Sequence, residues 1–152
     1  FDVYVWVRTN DLAAVLSRFI DRYVDGEDPG DPRFDAFVRT CVSQDPAPGD
    51  DEALADLRRD DSAVNGFSLY LRAKAHEAAI VTITEEGDLV LGLSLDDPEN
   101  AAETYQKASA LMASLRAEFA AQGGVAGVEL PPPQSVSEWA NEGLILLREG
   151  NV

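Results

Sequence analysis

Carboxylates are the side chains of this sequence with the clearest chemical potential. Asp25, Glu27, Asp28, Asp31 and Asp35 fall within YVDGEDPGDPRFD (23–35), among two glycines and two prolines. Asp50, Asp51 and Glu52 follow shortly after, at the end of the loop QDPAPGD (44–50) and just beyond it. Oxygen donors at this density are what a hard cation needs, but a calcium loop places them at fixed alternating positions, with a glycine at the sharp turn and a closing glutamate. The order Asp25, Gly26, Glu27, Asp28, Pro29, Gly30, Asp31 does not keep that register, so no metal site is expected. Cys41 and His76 are the single cysteine and histidine, and such a pair cannot build a structural zinc site. Two readings of the acids remain: a solvated face, or a negative surface that captures a cationic protein by electrostatic steering.

Nucleophilic chemistry finds less support. Cys41 shares a helical stripe with Phe34, Phe37 and Val38, the pattern of a buried, inert thiol. His76 lies in LRAKAHEAA between two predicted strands, where a solvated turn residue is the simpler reading than a general base. The pairs Asp60-Asp61 and Asp96-Asp97 fall at loop and cap positions. The nucleophile-elbow, phosphate-loop and dinucleotide-binding patterns are all absent from the sequence. The expectation is therefore no catalytic residue and no cofactor.

The elements that must position these residues are legible from periodicity. FDVYVWVR (1–8) alternates as a strand, with Phe1, Val3, Val5 and Val7 on one face and Tyr4, Trp6 and Arg8 on the other. Thr9 or Asn10 is the expected cap of a helix whose stripe is Leu12, Val15, Leu16, Phe19, Ile20 and Tyr23, with Gly26 as stop signal. Short helices are expected over 34–43 and over DEALADLRR (51–59), forming with the loops an acidic insert over about 25–61. Three alternating segments, Phe67–Ala73, Ala79–Thr84 and Leu89–Leu95, have short links and predict an antiparallel meander. Asp97-Pro98 opens the longest predicted helix, with its stripe from Tyr105 to Phe119 and Gly123-Gly124 as its end. Val125–Leu130 reads as a short edge strand, Ser135 and Glu138 as a capping box for a helix carrying Trp139, and GLILLREG as a possible last strand. The expected fold is a single α+β domain over 1–152. Its antiparallel sheet of about 4–5 strands packs against two main helices, with the acidic insert and a short C-terminal helix beside it.

Composition bounds the partners. The chain has 152 residues and a formal charge of −16, with 28 acids against 12 bases. Such a charge repels phosphate backbones and anionic lipid, so nucleic-acid and membrane binding are disfavoured. Residues 21–61 carry 13 of the acids and only 5 of the bases, so acid density concentrates in the insert. Ten of the bases are arginine and two are lysine, which with many alanines suggests a GC-rich bacterial genome. One cysteine and no long apolar run fit a cytoplasmic protein, although the chain begins at Phe1 rather than Met, which leaves room for a removed leader.

One predicted sheet face stands out. Tyr4, Trp6, Arg8, Tyr70 and Arg72 project together with Thr82, Thr84 and Ser94 if the apolar faces of all strands meet the helices. Aromatics and arginines are the types enriched at interaction hot spots. Alternation alone does not show whether that face is open or is covered by the insert or the Trp139 helix. The preferred expectation is a non-catalytic acidic protein-binding module, most concretely an immunity-type inhibitor that neutralises a basic toxin or effector enzyme. In it, the acids at 25–35 and 50–52 would steer and the sheet face would anchor. The alternatives are a small-molecule-binding domain or small enzyme, with Arg8 and Arg72 converging on an anionic ligand, and a regulatory subunit that dimerises through the sheet.

Overall fold

The computed structural model describes residues 1–57, 66–96 and 101–152. Within them the chain builds one six-stranded antiparallel sheet of order β2-β3-β4-β1-β5-β6. The strands are β1 (Asp2–Val7), β2 (Phe67–Leu71), β3 (Ala78–Ile83), β4 (Leu89–Ser94), β5 (Gly123–Gly127) and β6 (Leu147–Gly150). The helices are α1 (Leu12–Tyr23), α2 (Phe34–Phe37) continuing into a π-helical turn (Val38–Val42), α3 (Asp50–Ala55), α4 (Ala101–Phe119) and α5 (Val136–Trp139). The α+β class and the β2-β3-β4 meander follow the sequence expectation, with more strands than the 4–5 anticipated.

Both faces of the sheet are packed. On one, Val3, Val5 and Val7 of β1 meet Leu16 and Phe19 of α1 and Met112, Leu115 and Phe119 of α4. Phe34, Phe37 and Leu54 of the insert join the same core, with Phe37 edge-on to Phe67 at 6.2 Å between ring centroids. Each such fully buried large side chain contributes roughly 1.5–3 kcal/mol of transfer free energy. On the opposite face Tyr4, Trp6, Ile80, Val90 and Val125 lie beneath Leu130 and Trp139. A central strand that is apolar on both sides belongs in the middle of a two-sided sheet, and β1 sits between β4 and β5.

Several boundaries differ from expectation for identifiable reasons. Asp11, not Thr9 or Asn10, caps α1, its Oδ1 accepting the Ala14 N–H at 3.2 Å, while Thr9 Oγ1 accepts from Asp11 N–H at 3.0 Å. α1 stops before Gly26, because Val24 turns extended and bridges to Ala73. Gly123-Gly124 do not end α4. Ala120 does, with φ of +50°, while the Ala121 N–H reaches back to the Arg116 carbonyl at 3.0 Å; this is a Schellman-type closure with alanine where glycine is usual. The two glycines open β5 instead. A Cβ on Gly124 would meet Met112 Cγ at 2.5 Å, and one on Gly123 would meet the Glu149 carbonyl oxygen at 2.8 Å. They are small because α4 and β6 press on them, and β5 is an interior strand rather than an edge. The expected Asp97-Pro98 helix start and the pair Asp60-Asp61 lie outside the described residues.

Candidate functional site

The acidic loop is held in place by the sheet. After α1 the chain crosses the end of β2. Asp25 N–H donates to the Arg72 carbonyl (2.8 Å), Arg72 N–H to the Pro29 carbonyl (2.8 Å) and Lys74 N–H to the Tyr23 carbonyl (2.9 Å). Free strand edges invite pairing with other chains, and a covering loop is one way to blunt them. Within the loop, Asp25 Oδ1 accepts the N–H groups of Glu27 (3.1 Å) and Asp28 (3.2 Å), a local turn closure typical of aspartate. Asp28 pairs with Arg72. Asp31 takes a two-pronged guanidinium contact from Arg33, at 3.0 and 2.9 Å, together with the Arg33 N–H at 2.8 Å. These hydrogen bonds hold the Asp31 carboxyl below the usual carboxylate range.

The second acid cluster divides in the same way. Asp50 is buried, and its carboxylate receives Arg39 Nε and Nη2, both at 2.9 Å, and the Ala47 N–H at 2.8 Å. The Arg39 contact first, and the backbone donor second, hold its pKa at about 2. Asp50 is thus a structural brace between the π-helical turn and α3, not a docking residue as expected from sequence. Glu27, Asp35, Asp51 and Glu52 are exposed and spend their carboxylates on no hydrogen bond or ion pair among the described residues. They sit on the segments that the braced acids hold in place. Among the described residues no group of His, Cys, Asp and Glu could hold a metal ion.

Of the two arrangements left open for the aromatic-arginine face, the structure has the covered one. Trp6 is fully buried, stacked edge-to-face on Trp139 at 5.4 Å, with its indole N–H on Asp88 Oδ2 at 3.0 Å. Tyr4 is buried across Gly92, and its hydroxyl donates to the Leu130 carbonyl at 2.5 Å. Burial first, then the nearby Asp2 and Tyr70, push the Tyr4 pKa up. Both residues are core. The cover is the segment from Leu130 to Trp139, and its sequence explains how it can lie on a sheet. Pro131, Pro132 and Pro133 carry no N–H to leave unsatisfied. Gln134 then spends its polar groups: N–H to Glu138 Oε1 (2.9 Å), Nε2 to Ser68 Oγ (2.9 Å) and carbonyl to Glu85 N–H (2.8 Å). Ser135 caps α5 by accepting from Glu138 N–H at 3.1 Å, so the predicted capping box forms with its return bond moved one residue back, to Gln134. The insert, the other possible cover, packs on the opposite face.

Arg8 and Arg72 do not converge. Arg8 follows Val7, whose register partner is Leu89, and pairs with Asp88 at 3.1 Å. Arg72 follows Leu71, which lies across from Ala79 at the other end of the sheet, and pairs with Asp28. The length of β2 separates them, about 3.3 Å per residue along the strand. Of the five, Arg8, Tyr70 and Arg72 are exposed, Tyr70 at 56 %, and the two arginines are engaged by Asp88 and Asp28. Cys41 is half-buried and burial raises its pKa; burial likewise lowers that of His76, which lies edge-on to Tyr23 at 6.2 Å.

The residues that sequence reasoning passed over flank the cover in the chain. Glu129 lies in the left-handed region at φ of +47°, and Val128, Leu144 and Leu146 are large apolar side chains about half exposed. The signal was present in the run of three prolines and, after nine intervening residues, in GLILL, a segment too apolar for a solvated tail. No protein-family model matches the chain, and no curated protein or solved structure is significantly similar to it. Among the described residues no helix is long and apolar enough to cross a membrane.

Proposed function

We propose that this chain is a non-catalytic module that binds a basic protein by surface complementarity, most concretely an immunity-type inhibitor of a bacterial toxin or effector enzyme. The observation that carries the reading is the fixed acidic insert. Asp25, Asp31 and Asp50 are spent on bracing loops 24–33 and 47–50, while Glu27, Asp35, Asp51 and Glu52 are presented outward on that frame. A rigid charge array loses little conformational entropy on docking and raises the association rate of a cationic partner. The excess of acids over bases in 21–61 gives the array its sign, and a partner with a basic cleft is the complement.

The test is co-expression with the product of the neighbouring gene. Support is a complex that survives gel filtration in low salt, dissociates in high salt, and is weakened by Glu27→Gln, Asp51→Asn and Glu52→Gln together. These three neutralisations leave every bracing contact in place, unlike changes at Asp28 or Asp31. Absence of a complex, or one indifferent to both salt and the three changes, would refute the proposal.

A further inference from the structure

The segment that closes the second sheet face also leaves a groove on its outer side. Two concavities of about 260 Å³ each flank the Leu130–Pro131 ridge, which lines both. One is walled by Pro133, Glu138, Leu144 and Ile145. The other is walled by Asp2, Tyr70, Ile80 and Glu129. Val128, Leu144 and Leu146 extend the apolar surface beside the first, at 50, 55 and 48 % exposure. They are neighbours in space: the Leu146 N–H bonds the Ala126 carbonyl at 2.8 Å, and the Leu144 carbonyl packs on Gly127 too closely for any Cβ there.

The chemistry of the lining selects an occupant. Acids stand on the rim, Asp2 and Glu129 in one lobe and Glu138 in the other, and no lysine or arginine lines either among the described residues. The floor is apolar and the Tyr70 ring is one wall, a surface over which a guanidinium or ammonium group gains a cation–π contact. Contiguous exposed apolar surface rimmed by charge is the mark of a protein-interaction site rather than of solvated surface. Glu129, a non-glycine residue held at positive φ, is the kind of strained position that a functional site retains.

We infer that the groove across the Leu130–Pro131 ridge docks an extended segment of a partner protein in which arginine or lysine alternates with apolar residues. The apolar residues enter the lobe walled by Leu144 and Ile145, and the basic group sits between Tyr70, Asp2 and Glu129. This inference rests on the reading above that the chain binds a basic protein. It supplies the anchor that buried Tyr4 and Trp6 cannot, and leaves steering to the insert.

The probe is a short acetylated, amidated peptide alternating arginine and leucine, titrated into isotopically labelled protein and followed by amide NMR shifts. Counterparts carry glutamate for arginine, or glycine for leucine. The arginine–leucine peptide should move the signals of Asp2, Tyr70, Glu129 and 141–146. Asp2→Asn with Glu129→Gln, or Leu144→Ser alone, should weaken it roughly tenfold. Glu27→Gln with Asp51→Asn and Glu52→Gln should change it less than about twofold, since none of those groups lines either lobe and exposed charges that make no contact are screened by salt. Shifts confined to the insert, equal binding of the glycine or glutamate peptides, or no shift at all would each overturn the groove. None of these outcomes bears on the co-expression test, so the groove and the broader reading fail separately.

Discussion

Replacing Trp6 by alanine should unfold much of the molecule's stability margin rather than merely expose a surface. Trp6 has no exposed surface, stacks on Trp139 at 5.4 Å and donates its indole N–H to Asp88 at 3.0 Å. Truncating a fully buried tryptophan costs about 3–5 kcal/mol through lost transfer energy and the cavity left behind. That is a large part of the ~5–15 kcal/mol by which a domain is stable. With a urea dependence of about 2 kcal/mol per molar, a loss of about 4 kcal/mol moves the unfolding midpoint down by about 2 M. Trp6→Phe separates the contributions. It keeps an aromatic ring against Trp139 but removes the N–H, and Asp88 still receives Arg8 Nε at 3.1 Å, so the cost should be about 1–2 kcal/mol. Urea titrations followed by far-ultraviolet circular dichroism measure both. A midpoint for Trp6→Ala within about 0.5 M of the parent would mean that the Leu130–Trp139 cover does not seal this face, and the assignment of Trp6 to a second core would be wrong.

Other consequences concern the same packing. Gly92→Ala drives a methyl group into the Tyr4 ring and should cost about 1–3 kcal/mol; combined with Tyr4→Ala the two changes should be clearly non-additive, which a double-mutant cycle in urea reads directly. Ala120→Gly relieves a residue held at φ of +50° and should raise stability by about 0.5–1 kcal/mol; a loss would show that the α4 terminus does not adopt this geometry. Asp50 has its pKa depressed to about 2 by Arg39, so its contribution is present above the ordinary carboxylate range near pH 4 and disappears as pH falls through about 2. Urea midpoints measured across that window should fall less steeply in Arg39→Gln than in the parent, and parallel curves would count against the brace.

Much of this architecture was legible because it rests on local periodicity. The alternation of Phe1–Arg8, the α1 stripe and the β2-β3-β4 meander with short links specify their elements almost unaided. What periodicity does not carry is which element covers a face. Tyr4 and Trp6 alternate as well in an open strand as in a buried one, and only the placement of Pro131–Trp139 over them decides. The glycines were misread for a related reason: Gly123-Gly124 look like a helix stop locally, yet the demand on them comes from Met112 and Glu149, distant in sequence. The site was less legible than the fold. Counting charges found the acidic insert but could not separate Asp50, buried under Arg39, from its exposed neighbours Asp51 and Glu52. The groove beside Leu144 depends on a chain reversal that no spacing announces.

The measurement that bears most directly on the central claim is the association rate of the co-expressed partner, taken as a function of ionic strength. Steering by the insert predicts a rate that falls steeply as salt rises, by about tenfold or more. It also predicts that Glu27→Gln with Asp51→Asn and Glu52→Gln slows association, with dissociation little changed. A rate flat in salt and untouched by those three neutralisations would contradict the account, because the acidic array would then take no part in finding the partner.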